Sequence, residues 1–329
     1  MSPKMKILFV NTAAAICSIH ESGSMIYESV KDSTNWSMEY VNANDLDLDH
    51  LHRGKITLKS SNITLPPFYF YIFNYHKIAM QQMIGIQGQY LKQLPGRVLA
   101  IVLEMRPNDP MVDLDNPDYF DAYLVLDPTM KYHDPRFYAF PRPIPSMNFE
   151  YKDTGIPVIG TLGFPCYSKC FNLIVKAARM EFERSVVRMN IPYPHSYYSM
   201  HEDMYNDIIG QCKRETGSTV KLIITNHHMS RIDLYKWCSE NSLNVFWYTR
   251  DGSTPGLSGS ADPAIASGRP LSVSSSAHMR HIHQYQPDCS KWSLKDSLQY
   301  GQDAVQQMKK DWSPIACQTK LLNILTSIK

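Results

Sequence analysis

The chain has 329 residues, 43% of them hydrophobic and 19% charged, with a net charge of +2; this length suits two domains of about 150 residues, and the near-neutral balance gives no overall pull toward polyanions or anionic lipid. No apolar run approaches the roughly eighteen residues of a membrane span, and the apolar run Ile7 to Val10 is too short for a secretory signal core, so a soluble, cytoplasmic protein is expected. Seven cysteines at irregular spacing, with Cys166 and Cys170 lacking a second pair to complete a zinc site, suit reduced thiols in a cytosol-like compartment.

Lys6 to Asn11 reads as a strand, closed by a polar loop that carries His20, Glu21 and Gly23, with a helix from Met25 to Val30. Phe68 to Phe73, Val98 to Leu103 and Ala122 to Leu126 are further apolar, β-rich runs, and Ile78 to Leu91 shows a helical pattern between the first two. Strands alternating with helices predict a parallel sheet. Phe140-Pro-Arg-Pro-Ile-Pro145 is too proline-rich to continue either element and reads as an inter-domain linker. A second series follows: Val158 to Leu162 (strand), Ser168 to Phe182 (helix), Ser185 to Met189 (strand), Glu202 to Thr216 (helix), Val220 to Thr225 (strand), Ser230 to Glu240 (helix), Val245 to Tyr248 (strand), Ala261 to Ser267 (helix) and Leu271 to Ser274 (strand). Leu294, Leu298, Gly301, Val305 and Met308 mark another helix, Trp312-Ser-Pro314 breaks it, and a last helix covers Ile315 to Ile328. The predicted domains are 1–145, 146–311 and a closing helix, 312–329.

In α/β halves, ligands sit outside the carboxyl ends of the strands, where glycine turns and helix N-termini meet phosphates. Two loops of the second half have that design. Gly160-Thr-Leu-Gly-Phe-Pro-Cys-Tyr-Ser-Lys169 is a glycine loop after a strand, with a lysine opening the next helix where it can meet a diphosphate. Gly256-Leu-Ser-Gly-Ser-Ala-Asp262 sets Ser258, Gly259 and Ser260 ahead of a helix, so their amides are candidate anion donors.

The order of these pieces resembles the GT-B nucleotide-sugar glycosyltransferases, in particular the donor-binding half of their group 1, family 4-like members. Gly163 followed by Lys169 resembles their glycine-arginine…lysine-glycine phosphate loop, and Ala264-Ile-Ala-Ser-Gly-Arg-Pro-Leu-Ser-Val273 resembles their glutamate-alanine-x-alanine-x-glycine-x-proline segment. The resemblance covers about Ile156 to Ile328. It implies two Rossmann-like domains facing a central cleft, a C-terminal helix crossing back to the N-terminal domain, and transfer of a sugar from a nucleotide-diphosphate sugar such as a UDP-sugar, without metal or other cofactor. The donor-binding residues it implies are Gly163 and Lys169; the amides of Ser258, Gly259 and Ser260 join them from the second loop, with Asp262 as a candidate ribose or sugar-hydroxyl ligand and Arg280, in the charged His278–His283 stretch, as a diphosphate candidate. The chain departs from the pattern at Phe164, where the family has arginine, at Cys170, where it has glycine, and at Pro255 and Pro263, where the glutamate pair would stand.

Transfer needs a stabilised anionic leaving group and, for inversion, a base on the acceptor hydroxyl. His20 and Glu21 after the first strand, and His76 after Phe68 to Phe73, are the candidate catalytic residues. Gly23, Glu104 and Arg106 are candidate acceptor-binding residues by the same strand-end argument. Asp45-Leu-Asp-Leu-Asp49 has the form of an aspartate-x-aspartate metal motif, although alternating acids on a solvated edge explain it better, and His278, His281 and His283 lack a partner cysteine or carboxylate for a metal. Arg269 reads equally well as a surface charge and as a ligand, and Trp247-Tyr248, which end a strand where a base could stack, read at least equally well as core. The acceptor is an unidentified hydroxyl of a glycan, lipid-linked sugar, small molecule or modified nucleic-acid base; for the last, Lys4, Lys6, Arg53, Lys55 and Lys59 offer a basic rim, which scattered surface lysines explain equally. The alternatives are a nucleotide-sugar epimerase and a catalytically inactive GT-B nucleotide-binding protein.

Overall fold

The computed structural model describes residues 4–12, 18–103, 117–129, 131, 134–145, 147–193, 202–249, 256–285 and 288–328. The chain divides into two compact units, one formed by Met1–Pro145 with Trp312–Lys329 and the other by Ser146–Asp311. Unit 1 contains, in order, β1 (Met5–Asn11), α1 (Ser18–Val30), β2 (Trp36–Asn42), α2 (Leu48–Leu51), a small hairpin of β3 (Thr57–Leu58) and β4 (Ile63–Thr64), β5 (Phe70–Asn74), α3 (Gly88–Leu91), β6 (Arg97–Val102), β7 (Ala122–Val125) and β8 (Phe137–Ala139). Unit 2 contains β9 (Val158–Leu162), α4 (Phe171–Glu181), β10 (Ser185–Asn190), α5 (Glu202–Arg214), β11 (Val220–Thr225), α6 (Arg231–Ser239), β12 (Leu243–Phe246), α7 (Asp262–Ser267), β13 (Leu271–Val273), α8 (Arg280–His283) and α9 (Leu294–Asp311); α10 (Pro314–Ser327) then returns to unit 1. Among the described residues no helix is long and apolar enough to cross a membrane.

The main sheet of unit 1 is parallel throughout, in the order β2-β1-β5-β6-β7-β8. Both of its faces are covered. Ile7, Phe9, Ile72, Leu99 and Ile101 pack with Ile26 and Val30 of α1 and with Cys317, Leu321, Ile324 and Leu325 of α10. The intervening Leu8, Val10, Tyr71, Phe73, Val98, Ala100 and Val102 pack with Leu46, Leu51, Met80, Ile86 and Leu91 on the other face. Burial on both sides is why these strands read as unbroken apolar runs. Ser313 caps α10 through the Ala316 amide, and Pro314 occupies its first turn, where a missing N–H costs nothing.

Three expectations for unit 1 are corrected. The helix after β1 begins at Ser18, so His20, Glu21 and Gly23 lie within α1 and not in a loop. Gly23 is buried against β1 and β5: a Cβ there would collide with the Asn11 and Asn74 side chains, so helix and strand ends meet only at a glycine. In place of one helix from Ile78 to Leu91, a π-helical turn spans Lys77–Gln82 and is followed by a turn and α3, with Tyr75 Oη donating to the Ile86 carbonyl. β2 and β8 are edge-side strands that no apolar run announced.

Unit 2 has the parallel order β11-β10-β9-β12-β13. Phe171, Ile174, Val175 and Ala178 of α4 form an apolar stripe against Ile159, Val187, Met189 and Val245. Lys309 of α9 reaches the carboxyl end of α7, donating to the Ala266 carbonyl at 3.4 Å and to that of Met147 at 3.0 Å. Burial lowers its pKa.

Candidate functional site

In each sheet the strand order reverses once, and that is where a crevice opens beyond the carboxyl ends of an open α/β sheet. In unit 2 the reversal lies between β9 and β12. Gly163 follows β9 directly, at φ +136°, with its amide on the Asn190 carbonyl at 3.0 Å. Any side chain at this backbone geometry is strained. A Cβ on Gly163 would also run into the Lys169 ammonium and come within 3.1 Å of Ser260 Oγ. The two loops singled out from the sequence thus meet over one glycine.

Lys169 closes a 3-10 turn that starts at Tyr167, and its ammonium folds back between two rings, 6.0 Å from the centre of Phe164 and 5.8 Å from that of Tyr248. Among the described residues it has no ion pair and no hydrogen bond. A half-buried cation with no counter-charge and one glycine-lined side makes a local positive potential suited to an anion. The turn is locked to the end of β12, because Thr249 N–H donates to the Ser168 carbonyl at 2.9 Å and Cys170 Sγ lies 3.2 Å from Thr249 Oγ1. Cys170 itself is left-handed, at φ 42°, in the place where the resembled family has glycine.

The second loop is arranged differently from the expectation. The Ser258 amide donates to the His278 carbonyl at 2.9 Å and the Ser260 amide to Ser258 Oγ at 3.3 Å, so two of the three expected anion donors are already engaged. Gly259 remains, at the head of the turn. Ser258 Oγ also lies 3.0 Å from the Tyr248 hydroxyl, and the His278 ring stands edge-on to Tyr248 at 6.0 Å with Nδ1 3.2 Å from the Gly256 carbonyl oxygen. Tyr248 and Phe164 thus flank the Lys169 ammonium; the sequence offers Tyr248 as a base-stacking or core residue and Phe164 only as a missing arginine. Asp262 is 4% exposed at the start of α7, and Arg280 Nη1 donates to the Ala277 carbonyl of its own turn. Arg269 lies apart, its guanidinium 3.4 Å above the Tyr151 ring and bonded to the Asn241 carbonyl; burial lowers its pKa. It ties loops together.

In unit 1 the reversal lies between β1 and β5. Asn11 and Asn74 end these strands, fully buried and joined at 2.7 Å. The His20 ring is beside them: its Nδ1 donates to the Thr12 carbonyl, which leaves the Nε2 lone pair to take a proton. Glu21 is exposed on α1. His76 is 8% exposed and caps the π-helical turn, Nδ1 accepting from the Ala79 amide at 3.2 Å, so its ring serves the backbone. Glu104 and Arg106 lie outside the described residues, as does Pro255. Asp47 caps α2 through the His50 amide at 2.9 Å, and that hydrogen bond lowers its pKa. His281 is fully buried. Among the described residues no three metal-binding side chains are grouped.

No protein-family model and no curated protein matches the sequence. Solved structures do. HepE of Anabaena in complex with UDP superposes with a TM-score of 0.63 at 9% identity, covering 98% of this chain and 100% of that one. A UDP-forming α,α-trehalose-phosphate synthase from Burkholderia xenovorans gives 0.59 at 11% identity, with 99% of each chain covered. TarM of S. aureus, in a complex containing UDP, gives 0.52 at 9% identity over 83% of this chain, which spans only 62% of TarM. Identities this low speak for architecture alone, and together with the two parallel α/β units they show that the chain has the GT-B fold.

Proposed function

We propose that this chain is a glycosyltransferase that holds a nucleoside-diphosphate sugar at the β9/β12 edge of unit 2 and passes the sugar to a hydroxyl acceptor. The observation that carries the reading is Lys169, an ammonium over Gly163 and next to Ser260 Oγ with no ion pair among the described residues. As the bond from the anomeric carbon to the donor phosphate breaks, negative charge grows on the diphosphate. A cation already in position favours that charge without reorganisation. The UDP bound in the HepE and TarM structures makes a uridine donor the first to try. His20, with Nε2 as acceptor, is the proposed base for an inverting transfer; Glu21 and His76 were sequence candidates, and the capping role of His76 speaks against it. Lys169 and the Gly259 amide take the place of a divalent metal, and the absence of a disulfide among the described cysteines suits a reducing, cytosol-like compartment.

Calorimetry of UDP and uridine on wild type and Lys169→Ala tests the reading. Loss of the ammonium is expected to weaken UDP by about 1–3 kcal/mol and to leave uridine unchanged. Equal losses for both ligands would reject the site. Phe164 in the place of an arginine favours a second reading, a nucleotide binder without transfer, which release of UDP from UDP-glucose in the presence of sugar acceptors would rule out.

A further inference from the structure

At the carboxyl ends of β1 and β5, two donors converge on one oxygen. Asn11 Oδ1 accepts from Asn74 Nδ2 at 2.7 Å and from the Thr12 amide at 2.9 Å. Asn74 Nδ2 also donates to the Ile19 carbonyl at 2.7 Å, which uses both hydrogens of that amide and so identifies its other end as the oxygen. Asn11 Nδ2 is fully used as well, on the His20 carbonyl, Ser24 Oγ and Tyr40 Oη. Two atoms of this cluster are left over. Asn74 Oδ1 and Thr12 Oγ1 are shielded from solvent without a hydrogen-bond partner, each in a residue only 1% exposed. Buried polar atoms are almost always paired. These two belong to residues bound to the same Asn11 oxygen, where the sheet order reverses. Thr12 also holds His20 Nδ1 through its carbonyl.

We propose that Thr12 Oγ1 and Asn74 Oδ1 are sockets for the hydroxyl groups of an uncharged polyol, the sugar or sugar-like end of the acceptor. The inference rests on the glycosyltransferase reading and narrows its acceptor. Asn74 Oδ1 can only accept, so the ligand must bring an O–H or N–H to it. A phosphomonoester dianion or a carboxylate has no hydrogen to give and would set lone pair against lone pair. The hydrogen-bonded cluster is made of asparagine, threonine, serine, tyrosine and histidine side chains, with no lysine or arginine among its described members to offset an anion. Because both atoms are shielded, binding must uncover them.

Thr12→Val keeps the shape of the side chain and removes its hydroxyl. Glucose, galactose, N-acetylglucosamine and glucose 6-phosphate would be titrated into the full chain, wild type and variants, with saturation-transfer NMR as the readout and UDP titrated separately. A neutral sugar is expected to bind the wild type, more tightly than glucose 6-phosphate. Thr12→Val should weaken it at least tenfold at an equal or higher melting temperature, since an unpaired buried hydroxyl has gone, and Thr12→Ser should restore it. Tenfold tighter binding of glucose 6-phosphate, or unchanged sugar affinity in Thr12→Val, overturns the proposal. Binding of UDP with none of the neutral sugars also overturns it and leaves the donor site standing; failure of UDP itself rejects the glycosyltransferase reading.

Discussion

In unit 1 the crevice between β1 and β5 is lined by neutral amides and hydroxyls that bond one another, with a helix seated on them through Gly23. In unit 2 the crevice between β9 and β12 contains an ammonium between two aromatic rings, without an ion pair among the described residues, with Gly163 making room for it. Each uses a glycine for close approach, one to admit a helix and the other to admit a charge. Under the proposed function the same topological position is furnished for opposite chemistry: in unit 2 for a group that gains negative charge, in unit 1 for one that stays neutral until it gives up a proton. The difference lies in a few residues at the strand ends, while the sheets beneath are alike in being parallel and covered by helices.

The sharpest way to break this contrast is His20→Ala. If the neutral crevice serves the proton, turnover should fall about a hundred- to ten-thousand-fold while UDP affinity, read by calorimetry, stays as in the wild type. Near-normal turnover, or retention of anomeric configuration in the product, would remove the base from unit 1. Gly23→Ala attacks the same region from the side of stability. The added methyl meets the Asn11–Asn74 pair, and urea unfolding should show a loss of about 2–3 kcal/mol; an unchanged midpoint would mean that α1 is not seated as described.

On the unit 2 side, Cys170→Gly relieves a left-handed residue. That conformation costs a non-glycine roughly 1–2 kcal/mol, part of which is offset by the greater freedom of glycine in the unfolded chain, so a gain of about 0.5–1 kcal/mol is expected. A loss would show that the contact from Cys170 Sγ to Thr249 outweighs the strain. The smallest expected effect is that of EDTA. If Lys169 does the work of a metal, excess chelator should leave UDP-sugar turnover unchanged, and a loss restored by a divalent cation would refute this.

The parallel strands were legible because burial on both faces writes an apolar residue at nearly every position, and α4 because its stripe faces a single core. β2 escaped because Ser37 is exposed and Met38, Glu39 and Tyr40 are at most partly buried at the sheet edge, so its sequence shows no apolar run. Gly23 was misread for a different reason. A glycine is ordinarily a breaker, and its value here arises from Asn74, far along the chain. The Gly163 loop was readable as a glycine turn with a lysine six residues beyond it. That the ammonium stands between Phe164 and Tyr248 was not, because ring and charge meet only after β12 has paired with β9. The orphaned oxygens of Thr12 and Asn74 are further still from sequence, since a missing partner is visible only once all the others are counted.

The return of α10 to unit 1 has a consequence for how the chain matures. Unit 2 is one uninterrupted stretch, whereas unit 1 is closed only when Cys317, Leu321, Ile324 and Leu325 reach the sheet face already carrying α1. During synthesis, domains tend to fold as they emerge. Here the second to be started is the first whose residues are all available, and the sheet that includes β1 keeps part of one greasy face bare until α10 has left the ribosome. Ile7 and Phe9 precede all of unit 2 in the chain while part of the face they share waits for α10, so the interval between them and Leu325 leaves that face open to aggregation and to chaperones.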